Sequence, residues 1–180
     1  MLNKSSLRKL IECSKEHNVS FISDEIYHGL EYESKAVSAL EITDHCYVIN
    51  SFSKYFSMTG WRVGWMIVPE DHVRQVEKVS QNLFICPPHA SQITALAALD
   101  AKEELDQNVN VYKKNREILL EELPKAGFTT FSPPDGAFYI YVDISKFSND
   151  SLSFCKKVLD EAGVAITPGL DFDQNRGSNT

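Results

Sequence analysis

The sequence predicts an α/β fold, a mainly parallel sheet with flanking helices followed by a small α+β unit. Three observations carry this expectation. Continuous apolar runs recur at 19–22, 46–50 and 63–68, the pattern of strands in a sheet covered on both faces. Apolar residues at helical spacing precede and follow those runs. Beyond about residue 105 the chain changes to short apolar segments punctuated by Pro and Gly, as in a smaller α+β unit.

Taken in order, Leu7, Leu10 and Ile11 mark a helix from Ser5 to His17, with Ser5 or Ser6 as its cap, ahead of the run Val19–Ile22. Strands follow at Cys46–Asn50 and Val63–Val68, with only polar connections between them. Helices are expected over Asp71–Phe84 and Ala90–Asp100, separated by Pro87-Pro88, and over Glu104–Glu122, ended by Pro124 and Gly127. The last part reads as Phe128–Phe131, a turn at Pro133–Gly136, the alternating Ala137–Val142, a helix over Leu152–Ala162, and Val164–Ile166. A boundary inside the long helix divides the chain into 1–104, part of a large domain, and 105–180, part of a small one.

A length of 180 residues at 43% hydrophobic content is enough for an ordinary core. The net charge of −7, with both signs mixed along the chain, leaves no basic stripe and argues against nucleic acid as a partner. No apolar run approaches the roughly 18 residues that span a bilayer, and residues 1–5 lack the apolar stretch of a signal peptide. A soluble cytoplasmic protein without a membrane partner is expected. Cys13, Cys46, Cys86 and Cys155 form no Cys-x-x-Cys pair and read as buried thiols. His28, His72 and His89 have no metal-ligand spacing, so no metal is expected.

Chemistry concentrates in Ser51-Phe52-Ser53-Lys54-Tyr55-Phe56-Ser57-Met58-Thr59-Gly60-Trp61-Arg62-Val63-Gly64. A lysine follows a buried strand amid hydroxyls, with an arginine eight residues on. A lysine amine attacks a carbonyl only when neutral, which partial burial or a nearby cation such as Arg62 favours. Arginine offers a fork of donors to a phosphate, and Ser51 and Ser53 can add hydroxyls. Gly60 and Gly64 allow close backbone approach. On residue types alone, Lys54 and Arg62 read more readily as solvated loop charges and the serines as turn residues. Likewise Phe21-Ile22-Ser23-Asp24-Glu25-Ile26-Tyr27 puts carboxylates just past a strand, where open α/β sheets place ligands, and Asp24 and Glu25 are equal candidates.

The order Ser-Phe-Ser-Lys, two residues, Ser-Met-Thr-Gly-Trp-Arg-Val-Gly resembles the lysine-attachment signature of class I/II pyridoxal-phosphate-dependent aminotransferases, of the aspartate aminotransferase fold type, and every defined position fits. The resemblance implies part of the large PLP-transferase domain plus most of a small C-terminal domain. It implies pyridoxal 5'-phosphate as cofactor, held by Lys54 as a Schiff base, with Lys54 moving the proton between the substrate α-carbon and the cofactor. Ser51, Ser53 and Arg62 would hold the phosphate. The family's spacing of thirty residues to Lys54 selects Asp24 as the carboxylate paired with the pyridine nitrogen, and Tyr27 matches the tyrosine that hydrogen-bonds the phenolic oxygen. Pro134–Tyr139 resembles the small-domain strand near the substrate, and Ala165–Phe172 the loop returning toward the cofactor.

The same resemblance implies transfer of an amino group between an α-amino acid and a 2-oxo acid, in a homodimer. A complete member is about twice this long, with an N-terminal arm, a phosphate loop, a ring-stacking aromatic, an Asn-Pro-x-Gly segment and a carboxylate-binding arginine that have no counterpart here. Two alternatives accompany it: C–S lyase chemistry on the same lysine, and a truncated chain without catalysis.

Overall fold

The computed structural model describes all residues from Met1 to Thr180. The chain forms two compact units, one comprising residues 1–113 and 135–137, the other 114–134 and 138–180. Their division falls inside the long helix, between Lys113 and Lys114.

In the first unit, helix α1 (Lys4–Glu16) leads to strand β1 (Ile22–Asp24). The cap is Asn3, not either serine, its side-chain oxygen accepting from Ser6 N at 2.9 Å. A short polar acceptor one residue before the helix does what a helical serine cannot. Strand β1 begins later than the run Val19–Ile22 implied. Asn18 adopts a left-handed φ of 54° and Val19 N bonds back to Ser14 O at 2.8 Å, so these residues close the helix instead.

Strands β2 (Tyr47–Ser51) and β3 (Gly64–Ile67) complete a sheet of order β1-β2-β3. β1 runs parallel to β2, pairing Asp24 with Ile49, and β3 runs antiparallel to β2, pairing Ser51 with Gly64. The sheet is therefore mixed. Leu7 and Ile11 of α1 pack with Ala39, Cys46 and Val48 to form one core, and Phe52, Met58 and Ala95 form a second. The expectation of a sheet covered on both faces is corrected at β3, whose residues are all exposed, Trp65, Met66 and Ile67 among them.

Helices α2 (Val73–Leu83), α3 (His89–Ala98) and α4 (Lys102–Lys125) follow. Pro124 lies within the last turn of α4 rather than beyond it, where it removes one i→i−4 hydrogen bond and the helix ends at the next residue. None of the helices is long and apolar enough to cross a membrane.

In the second unit only helix α5 (Ser151–Ala162) forms as the sequence implied, capped by Asp150 and closed by Gly163 at φ 67°. The strands expected at 128–131, 137–142 and 164–166 do not form. A single bridge joins Phe131 to Val142, backed by Asp143 N bonding Thr130 O at 2.9 Å. Pro133 and Pro134 offer no N–H to a ladder, and Ala137 takes a left-handed φ of 62°, which interrupts the alternation. Residues 135–137 instead pair within the first unit, where Gly136 bridges Glu31 and Ala137 N bonds Leu30 O at 2.8 Å.

The expectation of buried thiols holds only for Cys46. Cys13 and Cys86 are exposed and Cys155 is half-buried: Cys13 lies on the α1 surface between Glu12 and Ser14, away from the buried Leu7 and Ile11, and Cys86 follows the exposed Phe84 and Ile85.

Candidate active site

Because β1 and β2 are parallel neighbours in register, their carboxyl ends fall on one edge of the sheet, where helix and loop backbones are free to receive a ligand. The pairing continues one step past β1, with Glu25 N donating to Ile49 O at 2.8 Å. Asp24 and Ser51, the last residues of β1 and β2, therefore end on the same side.

Past Ser51 the chain makes a closed loop. Phe52 N donates to Val63 O at 3.2 Å, Met58 N to Phe52 O at 2.9 Å and Ser57 N to Lys54 O at 3.0 Å. The Thr59 hydroxyl adds a bond to Ser53 O at 2.9 Å. Phe52 and Met58 bury themselves beneath, and Phe52 stacks at 4.6 Å on Phe56 and edge-on at 5.1 Å on Trp65. Lys54 is held on this scaffold half-buried, its Nζ 5.4 Å from the centre of the Tyr27 ring. Tyr27 belongs to a tight turn in which His28 N bonds Glu25 O at 2.9 Å and Leu30 N bonds Tyr27 O at 3.0 Å. An ammonium over a ring face gains cation–π attraction, so the two side chains meet without a ligand.

Ser51 and Ser53 are linked through the Ser53 N–H, which donates to Ser51 Oγ at 3.0 Å. Arg62 follows with a left-handed φ of 52°, is exposed, and donates from Nη1 to Thr59 O at 2.8 Å, leaving the rest of its donor fork directed elsewhere. Gly64 is required: a Cβ there would stand 2.7 Å from Asn50 O. Gly60 is not, since a Cβ would meet nothing within 4 Å, which corrects the expectation of close approach at that glycine.

The structure separates the two acidic candidates. Asp24 is exposed and accepts only from Ile26 N at 3.3 Å, a local turn contact. Glu25 is buried and fully engaged, its Oε1 accepting from Ser23 Oγ, Ser38 Oγ and Ala39 N at 3.0, 3.1 and 2.8 Å, with Oε2 3.3 Å from His28 Nδ1. A carboxylate so committed holds the turn and has little capacity for a ligand. Of the other histidines, His72 stacks on Tyr47 and its Nδ1 lies 2.6 Å from the Tyr47 hydroxyl.

Sequence reasoning passed over Tyr55 and Asp106. The Tyr55 hydroxyl donates to Asp106 Oδ1 of α4 at 2.8 Å, and its ring lies against Gly29, whose φ is 96°. Nothing in the local pattern signals this, because the partners are far apart in sequence.

The loops that leave the carboxyl ends of β1 and β2 thus carry an amine, hydroxyls, a guanidinium and a carboxylate, groups chemically able to contact an anionic ligand at that edge of an α/β sheet. The comparisons define it further. The profile described as aminotransferase class I and II matches residues 1–177, and the chain belongs to this family. It is 47% identical over 166 residues to a valine–pyruvate aminotransferase of Mycobacterium tuberculosis, covering 90% of this chain and 43% of that protein. It is 36% identical to an aspartate aminotransferase of Sulfurisphaera tokodaii, covering 96% of this chain and 45% of the relative. A solved structure from Silicibacter pomeroyi, itself assigned as an aminotransferase, is 64% identical with a TM-score of 0.96, covering 99% of this chain and 48% of that one. The chain thus spans about half the length of the relatives it matches.

Proposed function

We propose that this chain carries the cofactor lysine of a pyridoxal-phosphate-dependent aminotransferase, and that the lysine is Lys54. The observation that carries the reading is the meeting of the Lys54 amine with the Tyr27 ring, 5.4 Å apart, on a loop that leaves the carboxyl end of β2 beside β1. The donor set fits a ligand that combines an aldehyde, a phenol, a basic ring and a phosphate: one amine, one phenol, one carboxylate, two hydroxyls and a guanidinium.

In this reading Lys54 would hold the cofactor through its amine, and the same amine would take up and return the proton at the substrate α-carbon. Ser51, Ser53 and Arg62 hold the phosphate, where charge-assisted bonds from the guanidinium are the strongest. The exposed Asp24 carboxylate keeps a proton on the ring nitrogen, and the Tyr27 hydroxyl donates to the phenolic oxygen. When bound, the cofactor supplies the electron sink for the α-carbon. The substrates are an α-amino acid and a 2-oxo acid, and the working unit is a homodimer. The names of the relatives favour amino transfer over C–S cleavage, and valine with pyruvate is the first pair to assay because the most similar of the curated relatives quoted acts on them by name.

The test adds pyridoxal 5'-phosphate to the chain and to Lys54→Ala, before and after borohydride reduction. A reduced adduct mapping to Lys54 and lost in the variant is expected. An adduct spread over other lysines, unchanged in Lys54→Ala, sinks the reading.

A further inference from the structure

Lys54 and Tyr55 are consecutive, and both side chains reach the same turn. The Lys54 amine approaches Tyr27, while the Tyr55 ring packs on Gly29 so closely that a Cβ at position 29 would stand 2.6 Å from its atoms. That glycine is required twice over, by the ring and by its φ of 96°, which disfavours any side chain. On its other side Tyr55 is tied to helix α4. Its hydroxyl donates to Asp106 Oδ1 at 2.8 Å, and the Asp106 carboxylate is also paired with Lys102, one turn earlier on the same helix. Asn108, also on α4, donates to Ser57 Oγ at 3.2 Å and fixes the far end of the same loop. Burial, then the bond to Asp106, pushes the Tyr55 phenol up to about 12, so it remains a neutral donor through the working pH range.

We propose that Tyr55, seated on Gly29 and hydrogen-bonded to Asp106, is the positioning residue that sets where the Lys54 amine stands relative to Tyr27. The inference rests on the reading of Lys54 as the cofactor lysine. In this role Tyr55 works through Lys54 and not by contact with cofactor or substrate. It acts by fixing one loop against the turn that presents Tyr27 and against the helix behind, so both partners keep one spacing. A reacting amine displaced by a fraction of an ångström loses rate steeply, which is why such a tie matters.

The experiment follows the growth of the borohydride-fixable absorption band when pyridoxal 5'-phosphate is added to the full chain, and titrates that band with pH. Tyr55→Phe keeps the ring and removes the hydroxyl, and Asp106→Ala removes its acceptor from a half-exposed helix position. Each is expected to slow band growth about tenfold and to shift the titration midpoint, with the melting temperature held. Asp106→Asn, which retains an acceptor oxygen, is expected to restore growth to within about twofold of wild type. Gly29→Ala is expected to reproduce the slow phenotype from the opposite side of the ring, and if it does not fold the other variants decide. Wild-type rates and midpoints in both Tyr55→Phe and Asp106→Ala, beside a band lost in Lys54→Ala, overturn the positioning role alone. A band indifferent to Lys54→Ala overturns that role and the underlying reading together.

Discussion

The loop that carries Lys54 and the segment 128–142 have similar sequence character, both rich in aromatics and turn residues, yet they fold to different degrees. Between Ser51 and Gly64 backbone bonds follow one another closely, and Phe52 and Met58 are buried beneath the loop. Within Phe128–Val142, where two strands were expected, a single bridge, Phe131 with Val142, joins the segment to itself. The difference teaches that a turn can be secured by its own short-range bonds, whereas a strand is secured only by a neighbour along its length. The first region has β2 and β3 to close it; in the second, prolines and a left-handed Ala137 withhold the partners.

Closure of the Lys54 loop depends most on Gly64. Replacing it with alanine puts a Cβ 2.7 Å from Asn50 O, within the pairing that holds the loop shut. Gly64→Ala is expected to cost about 3 kcal/mol by denaturant unfolding and to abolish the cofactor adduct at Lys54. Near-wild-type stability would show that the loop does not depend on the β2–β3 closure.

A smaller loss is expected in the second unit, which depends on scattered side-chain ties rather than a ladder. Ser151 is fully buried and its hydroxyl donates to Gly177 O at 2.6 Å, joining α5 to the last turn of the chain. Ser151→Ala removes the side-chain donor and leaves that carbonyl only the long bond from Thr180 N at 3.5 Å, which should cost about 1 kcal/mol, while cofactor capture at Lys54 is unaffected. If capture falls in step with stability, the two regions are not separable in the way their bonding suggests.

The smallest effect concerns acid. The Asp150 carboxyl is held below its usual range by its bond from the Ser153 hydroxyl and then from the Ser153 backbone N–H. A depressed carboxylate stabilises the fold above its unfolded value near 3.8 and loses that contribution as pH falls through the lower folded value. Acidification below about pH 4 should therefore lower the melting of α5 in wild type, and Asp150→Asn should flatten that dependence. A helix signal equally sensitive in the variant assigns the acid response to other groups.

The residues offered for the candidate site could be named before any coordinates. Lys54, Arg62 and the serines are consecutive in one stretch, so their proximity follows from chain connectivity, and Asp24 is set beside Ser51 once two apolar runs are taken as parallel neighbours. Residue types left Asp24 and Glu25 equal and only the family's spacing to Lys54 selected Asp24; the commitment of Glu25 to its own turn was not legible. It depends on Ser23, Ser38 and Ala39 converging on one carboxylate, and Ser38 and Ala39 lie more than ten residues away. Tyr55 and Asp106 were hidden for the same reason, and the exposed Cys13 and Cys86 show that apolar neighbours in sequence do not guarantee a buried thiol.

What the sequence by itself determined was the set of helices, the fold class and the lysine-bearing motif, all of which depend on spacing along the chain and short-range bonds. Tertiary structure alone decided which carboxylate is free, which runs become strands and what holds Lys54 in place. Those outcomes depend on partners brought together across long loops, and only the packing of β1, β2 and α4 around one turn supplies them.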